Sequence, residues 1–232
     1  MYICRMKILL EICVSSIASA LAAEEGGADR IELCAALGEG GITPSYGTIL
    51  EVKKRLSIPI HVIIRPREGD FVYTPEEVQV MCKDISVARD LGVEGVVSGA
   101  LDPLGNINSA VTEQLINAAR GMSFTFHRAF DVCRDPWEAV EVLAELGVDT
   151  LLTSGQATTA YEGRGLIKEL VDWAQPRGLT VMPGGGVKAA NITALVNETG
   201  AKAVHLSARK KMDGGYDQTD IFEVQACRKE IK

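Results

Sequence analysis

A chain of 232 residues, 47% hydrophobic and 24% charged, can bury a sizeable core in one large domain or two small ones. Its formal net charge of -7 comes with no basic stripe, which argues against nucleic-acid binding, because a phosphate backbone is held mainly by clustered Lys and Arg. The apolar run from Ile8 to Ile12 is interrupted by Glu11 and no small-residue cleavage site follows, so neither a signal peptide nor a membrane span of about 20 apolar residues is expected. Met6 offers an alternative start. The six cysteines, Cys4, Cys13, Cys34, Cys82, Cys133 and Cys227, form no CxxC pair, and reduced cytoplasmic thiols are the default for that pattern.

In chain order, strands are expected near 8–13, 29–34, 60–65, 94–99, 122–127, 149–154, 179–182 and 203–207, with helices between them. A phrase opening on Gly recurs at 27–33, 92–97, 147–152 and 200–206, and each copy ends an amphipathic helix and starts a strand. Thr43-Pro44, Thr74-Pro75-Glu76-Glu77 and Asp135-Pro136-Trp137-Glu138 each place a capping residue before Pro and predict helix starts. Another helix is predicted to begin near Asn191. Eight strands alternating with helices over this length predict a single-domain α/β TIM (β/α)8 barrel, ahead of an open doubly wound sheet.

Strand parity supports the closed form. One parity is apolar: Leu10 and Ile12, Ile31 and Leu33, Val62 and Ile64, Phe124 and Phe126, Val204 and Leu206. The other holds Glu11, Cys13, Arg30, Glu32, Cys34, His61, Ile63, Arg65, Thr125, His127, His205, Ser207 and Arg209. Buried parallel strands usually read as continuous apolar runs, so this alternation predicts a barrel with a polar lumen.

Several groups carry chemistry. Leu10-Glu11-Ile12-Cys13 and Ile31-Glu32-Leu33-Cys34 echo each other. With neighbouring strands about 4.8 Å apart, Cys13 and Cys34 approach at the mouth. Two thiolates suit a soft ion, Cu(I) being the softest common candidate; alternatively they pack as small apolar groups. Glu11 and Glu32, expected one layer below the cysteines, either pair with Arg30, Arg65 or Arg209 or raise one another's pKa for acid-base work. Arg65 and Arg67, in a charged loop, suit a carboxylate or phosphate. Gly184, Gly185 and Gly186 before a helix, with Ser207 and Arg209 after the eighth strand, suit an anion, and the hydroxyls of Thr153 and Ser154 add to the same rim. His127 closes the fifth strand as a proton-transfer candidate, with Asp131 expected to orient it and Arg128 expected in the outer loop.

Together these motifs resemble the CutC copper homeostasis protein family. The resemblance rests on Leu-Glu-Ile-Cys at 10–13, Gly-Ala-Asp-Arg-Ile-Glu-Leu-Cys at 27–34, Glu-Gly-Gly-Ile-Thr-Pro-Ser at 39–45, Ile-Arg-Pro-Arg at 64–67, Gly-Asp-Phe-Val-Tyr at 69–73, Thr-Phe-His-Arg-Ala-Phe-Asp at 125–131, Leu-Thr-Ser-Gly-Gln at 152–156, Met-Pro-Gly-Gly-Gly-Val at 182–187 and Ser-Ala-Arg at 207–209. It implies a cytoplasmic TIM barrel, a homo-oligomer (dimer or tetramer), a link to copper tolerance or trafficking, and Cu(I) ligands at Cys13 and Cys34. Glu68 stands where the family's loop usually has Gly, Leu206 where a smaller residue is common, and the tail after Arg209 offers only a short last helix. Two functional expectations follow. One is a Cu(I)-binding homeostasis protein, and the other is an enzyme acting on a small phosphorylated or carboxylated molecule. A copper carrier needs little beyond two thiolates, whereas the expected mouth holds far more buried polarity than that.

Overall fold

The computed structural model describes residues 7–231; Cys4 and Met6 lie outside the described residues. Strands β1 (Leu9–Val14), β2 (Arg30–Leu33), β3 (Ile60–Ile63), β4 (Gly95–Ser98), β5 (Ser123–Phe126), β6 (Thr150–Thr153), β7 (Thr180–Pro183) and β8 (Ala203–Leu206) form one parallel sheet in the order β7-β6-β5-β4-β3-β2-β1-β8. A parallel bridge between Gly184 and His205 joins its two ends. The expected TIM barrel is therefore the fold.

Helices α1 (Ile17–Glu25), α2 (Tyr46–Lys53), α3 (Pro75–Asp90), α4 (Ser109–Ala118), α5 (Pro136–Glu145), α6 (Arg164–Ala174), α7 (Ala189–Thr199) and α8 (Ile221–Glu230) follow the strands in turn. The outward parity set, including Leu10, Ile12, Ile31, Leu33, Val62, Phe124, Phe126 and Val204, is buried in one continuous apolar layer with the inner faces of the helices. Burying such side chains contributes roughly 1.5–3 kcal/mol each and is the main force holding the barrel. The four repeated joints behave alike: Gly27, Gly92, Gly147 and Gly200 all take positive φ, between 72° and 96°, the left-handed turn that ends a helix without a Cβ clash.

Two of the three predicted caps hold their helices. Thr74 forms a full capping box with Glu77, and the Asp135 carboxylate accepts the amides of Trp137 and Glu138. At the third, α2 starts at Tyr46 with Ser45 as its cap, because the Thr43 hydroxyl is committed to the backbone of Arg65. Helix α7 begins two residues before Asn191, whose side chain accepts the Lys188 amide. The tail is more elaborate than a short helix. A hairpin of β9 (Arg209–Lys211) and β10 (Asp217–Thr219) leads into α8, which closes the barrel. Arg228, almost fully buried, ties α8 to the carbonyls of Gly27 and Ile8 and to the Asp29 carboxylate. Among the described residues no helix is long and apolar enough to cross a membrane.

Candidate functional site

The stagger of the strands decides which lumenal side chains meet. In a barrel, neighbouring strands are offset along the axis. Here Cys13 lies level with Glu32, and Glu11 level with both Arg30 and His205. Glu32 therefore sits beside Cys13 and not one layer below it, as strand position alone suggested. The ligand atoms of Cys13, Glu32 and His205 all lie within 4.8 Å of one another. His205 is fixed between carboxylates: Nδ1 is 2.8 Å from Glu11 Oε1, and Nε2 is 3.6 Å from Glu32 Oε2. Glu11 is fully buried and receives the Arg30 guanidinium, which also reaches the Met182 sulfur at 3.7 Å. The Cys13 and Cys34 sulfurs are 3.7 Å apart and buried.

Charge in this cluster follows from burial and pairing. Burial alone raises the Glu11 carboxyl, but the His205 hydrogen bond and the Arg30 charge overcome it and hold the group at about 2. Glu32 is raised, first by burial and then by the Glu11 charge, against the pull of His205. Burial works to lower His205, but the two glutamates prevail and its pKa is raised. The Cys13 thiol is pushed well up by its bond to Cys34 and by burial. His61, deeper in the lumen, is lowered to about 4 by burial and by Arg30.

Above the cluster opens a cavity of about 660 Å³ lined by Cys13, Glu32, His205, Arg65, His127 and Asp131 among others, with Gly185, Gly186, Ser207 and Arg209 on its rim. Glu11, Cys34, Arg67 and Gly184 do not line it. Arg65 is buried, donating to the carbonyls of Glu39, Gly41 and Gly69, with Phe71 against its guanidinium. Arg67 is turned to Glu77 and Asp70, which anchors the loop to α3. Arg209, on β9, pairs with Asp217. Gly186, at φ +69°, has no room for a side chain, since a Cβ there would lie 2.9 Å from the Thr159 methyl.

His127 is buried against Phe71, with ring centroids 4.9 Å apart. Its Nδ1 accepts the Ala129 amide, so the neutral ring carries its proton on Nε2. Nε2 has no hydrogen-bond partner among the described residues, and neither has Arg65 Nε. Burial, followed by the Arg65 charge, lowers the His127 pKa to about 3. At neutral pH the ring thus carries an unused hydrogen-bond donor at Nε2. Asp131 does not touch it. Its carboxylate accepts from Arg128, Thr153, Ser154 and Gln156.

Two residues at this site escaped the sequence reading. Parity put His205 in the lumen, but only the register places it between Glu11 and Glu32. Arg128 looked external by strand parity, yet β5 ends at Phe126 and a 3-10 turn (Arg128–Val132) follows. Alternation stops there, and the Arg128 guanidinium reaches Ser154 and lies over Gly185. The end of a strand before a charged run was the available signal.

Comparison with known proteins identifies the family and the fold. The CutC family model matches residues 8–210. The chain belongs to the CutC family. A CutC protein of Parabacteroides distasonis is 53% identical over 205 residues, covering 88% of this chain and 84% of that protein. Among solved structures, a Streptococcus agalactiae CutC, provisionally named for copper homeostasis, superposes with a TM-score of 0.82 at 36% identity, covering 86% of this chain and 98% of the other. Phosphoribosylanthranilate isomerase from Thermotoga maritima shares the barrel, with a TM-score of 0.64 at 15% identity over 97% and 98% of the two chains.

Proposed function

We propose that this CutC-family chain is a cytoplasmic copper homeostasis protein that binds Cu(I) through Cys13 and Cys34. The observation that carries this reading is the pair of buried sulfurs 3.7 Å apart. They are near enough for one ion to engage both, and thiolates are the donors a soft monovalent ion prefers. The donor set fits the group. Ile63 and Val97 pack around the two sulfurs as an apolar wall, which lowers the local dielectric and strengthens their hold on a cation. The test is a Cu(I) titration under reducing conditions, in competition with a chromophoric chelator. The double variant Cys13→Ser/Cys34→Ser is expected to lose at least a hundredfold in affinity, and unchanged affinity overturns the reading. The protein acts as a homo-oligomer, a dimer or tetramer, as the family resemblance implies; light scattering that finds only a 24.9 kDa species contradicts this.

A second reading is favoured by a specific observation: two buried donors without partners, His127 Nε2 and Arg65 Nε, belong to residues lining the same cavity. Leaving such a group unpaired costs about 1–3 kcal/mol, and an acceptor-bearing guest recovers that cost. The reading is an enzyme acting on a small carboxylated or phosphorylated molecule. Gly185, Gly186, Ser207, Arg128 and Arg209 hold its anion at the rim, while His127 donates to an oxygen deeper in. The Thermotoga isomerase that shares the barrel is itself named for a phosphorylated compound. Thermal-shift screening of inorganic phosphate and short-chain carboxylates tests it: stabilisation that disappears in His127→Gln supports it, and no shift from any of them contradicts it.

A further inference from the structure

We propose that Cys13, Glu32 and His205 form a mononuclear site for a borderline divalent cation of the Zn²⁺ class, with an open coordination position facing the cavity. The inference shares Cys13 with the Cu(I) reading but needs neither Cys34 nor copper, so each can fail alone.

Three observations carry it. The first is spacing. In a tetrahedral site with metal–sulfur bonds of about 2.3 Å and metal–nitrogen or metal–oxygen bonds of about 2.0–2.2 Å, donor atoms lie roughly 3.4–3.6 Å apart. His205 Nε2 and Glu32 Oε2 are 3.6 Å apart, and all three ligand atoms fall within 4.8 Å of one another. Small side-chain rotations therefore complete the set.

The second is the support behind the histidine. Metal-binding imidazoles nearly always give their other ring N–H to a carboxylate, a backbone carbonyl or water, which fixes the tautomer and the direction of the lone pair. Glu11 does this for His205: its Oε1 lies 2.8 Å from Nδ1, and Arg30 in turn holds the Glu11 carboxylate. Nε2 is left facing Glu32 and the Cys13 sulfur. A histidine serving only as packing has no need of this three-residue relay from Arg30 through Glu11.

The third is charge and softness. A thiolate and a carboxylate together carry two negative charges, which a divalent ion cancels and a monovalent one does not; a charge left over on these buried groups is expensive. One sulfur, one nitrogen and one oxygen make a mixed donor set, suited to borderline ions and less to Cu(I). Cys34 is outside the set and does not line the cavity, whereas all three proposed ligands do. Three protein ligands with one position open is also the arrangement of catalytic rather than structural zinc sites.

The test uses the full-length protein, reduced and stripped with a chelator, with Co²⁺ as an optical probe and Zn²⁺ as competitor. One equivalent of Co²⁺ should produce near-ultraviolet sulfur-to-cobalt charge transfer and visible bands of four- or five-coordinate intensity, both erased by one equivalent of Zn²⁺. Cys13→Ser should remove the charge-transfer band. Glu32→Gln and His205→Gln should each weaken Co²⁺ by at least tenfold, and Cys34→Ser should leave the spectrum and affinity within threefold of wild type. Wild-type protein that binds Co²⁺ without a charge-transfer band, or not at all, overturns the proposal, and that measurement does not depend on a variant folding. A Cys34→Ser protein that loses Co²⁺ as completely as Cys13→Ser also overturns it, by showing that the two thiols form the only site. Loss of Cu(I) in Cys34→Ser with Co²⁺ retained supports both sites.

Discussion

The two halves of the barrel lumen are built on opposite rules. Strands β8, β1, β2 and β3 contribute His205, Glu11, Cys13, Arg30, Glu32 and His61, with Arg65 just past the end of β3, beside the apolar inward residues Leu9, Ile63 and Ala203. Strands β4 to β7 face them with Val97, Thr125, Leu152 and Met182, all buried and all neutral. The difference shows where chemistry and stability are separated. In the ionic half Arg30, Glu11, His205 and Glu32 form a chain of paired charges, whereas the neutral half is a wall that keeps the dielectric low and those interactions strong.

The most severe way to break the ionic half is to remove its cation. Arg30→Met leaves the fully buried Glu11 carboxylate short of its counter-charge and should cost about 3–5 kcal/mol in urea unfolding. Protons come next and act on both halves, through His61 on β3 and His127 just past the end of β5. His61 and His127 have folded pKa values of about 4 and about 3, below the usual value, so the unfolded chain takes up their protons first and stability falls as pH drops below about 6.5. His205 is raised and contributes the opposite sign, so a difference measurement is needed: between pH 8 and pH 5, wild type should lose about 2 kcal/mol more than His127→Gln.

The neutral half should respond differently to an equally buried change. The Thr125 hydroxyl has no hydrogen-bond partner among the described residues. Thr125→Val keeps its shape and removes an unsatisfied group, so a gain of about 1 kcal/mol is expected in the same unfolding assay; a loss of that size would show that the hydroxyl is satisfied by bound water. Smallest is the rim. The Arg209–Asp217 pair is about two-fifths exposed on the arginine side, and Arg209→Ala should shift stability by less than about 1 kcal/mol while still weakening any anion held beside Ser207.

The barrel itself was legible from sequence, because its signals are local: glycine at four helix-to-strand joints, Thr74 and Asp135 before proline, and strict alternation in β1, β2 and β5. The site was legible in part. Alternation placed Glu11, Cys13, Glu32, Cys34, His127 and His205 inside, but the pairing of Cys13 with Glu32, and of His205 with Glu11, is set by strand stagger, which no single strand records. The same limit explains Thr43, which gives its hydroxyl to Arg65 across the sheet and so leaves the cap of α2 to Ser45. It also explains Arg209, whose partner Asp217 comes from a hairpin in the stretch where the motifs ran out.

The measurement that bears most directly on Cys13 as the centre of the site is copper-edge X-ray absorption on the reduced protein loaded with one equivalent of Cu(I). Two sulfur scatterers are expected in wild type, one fewer in Cys34→Ser, and a further loss when Cys13 is also replaced. A wild-type spectrum fitted by nitrogen and oxygen alone would contradict a thiol site at the barrel mouth.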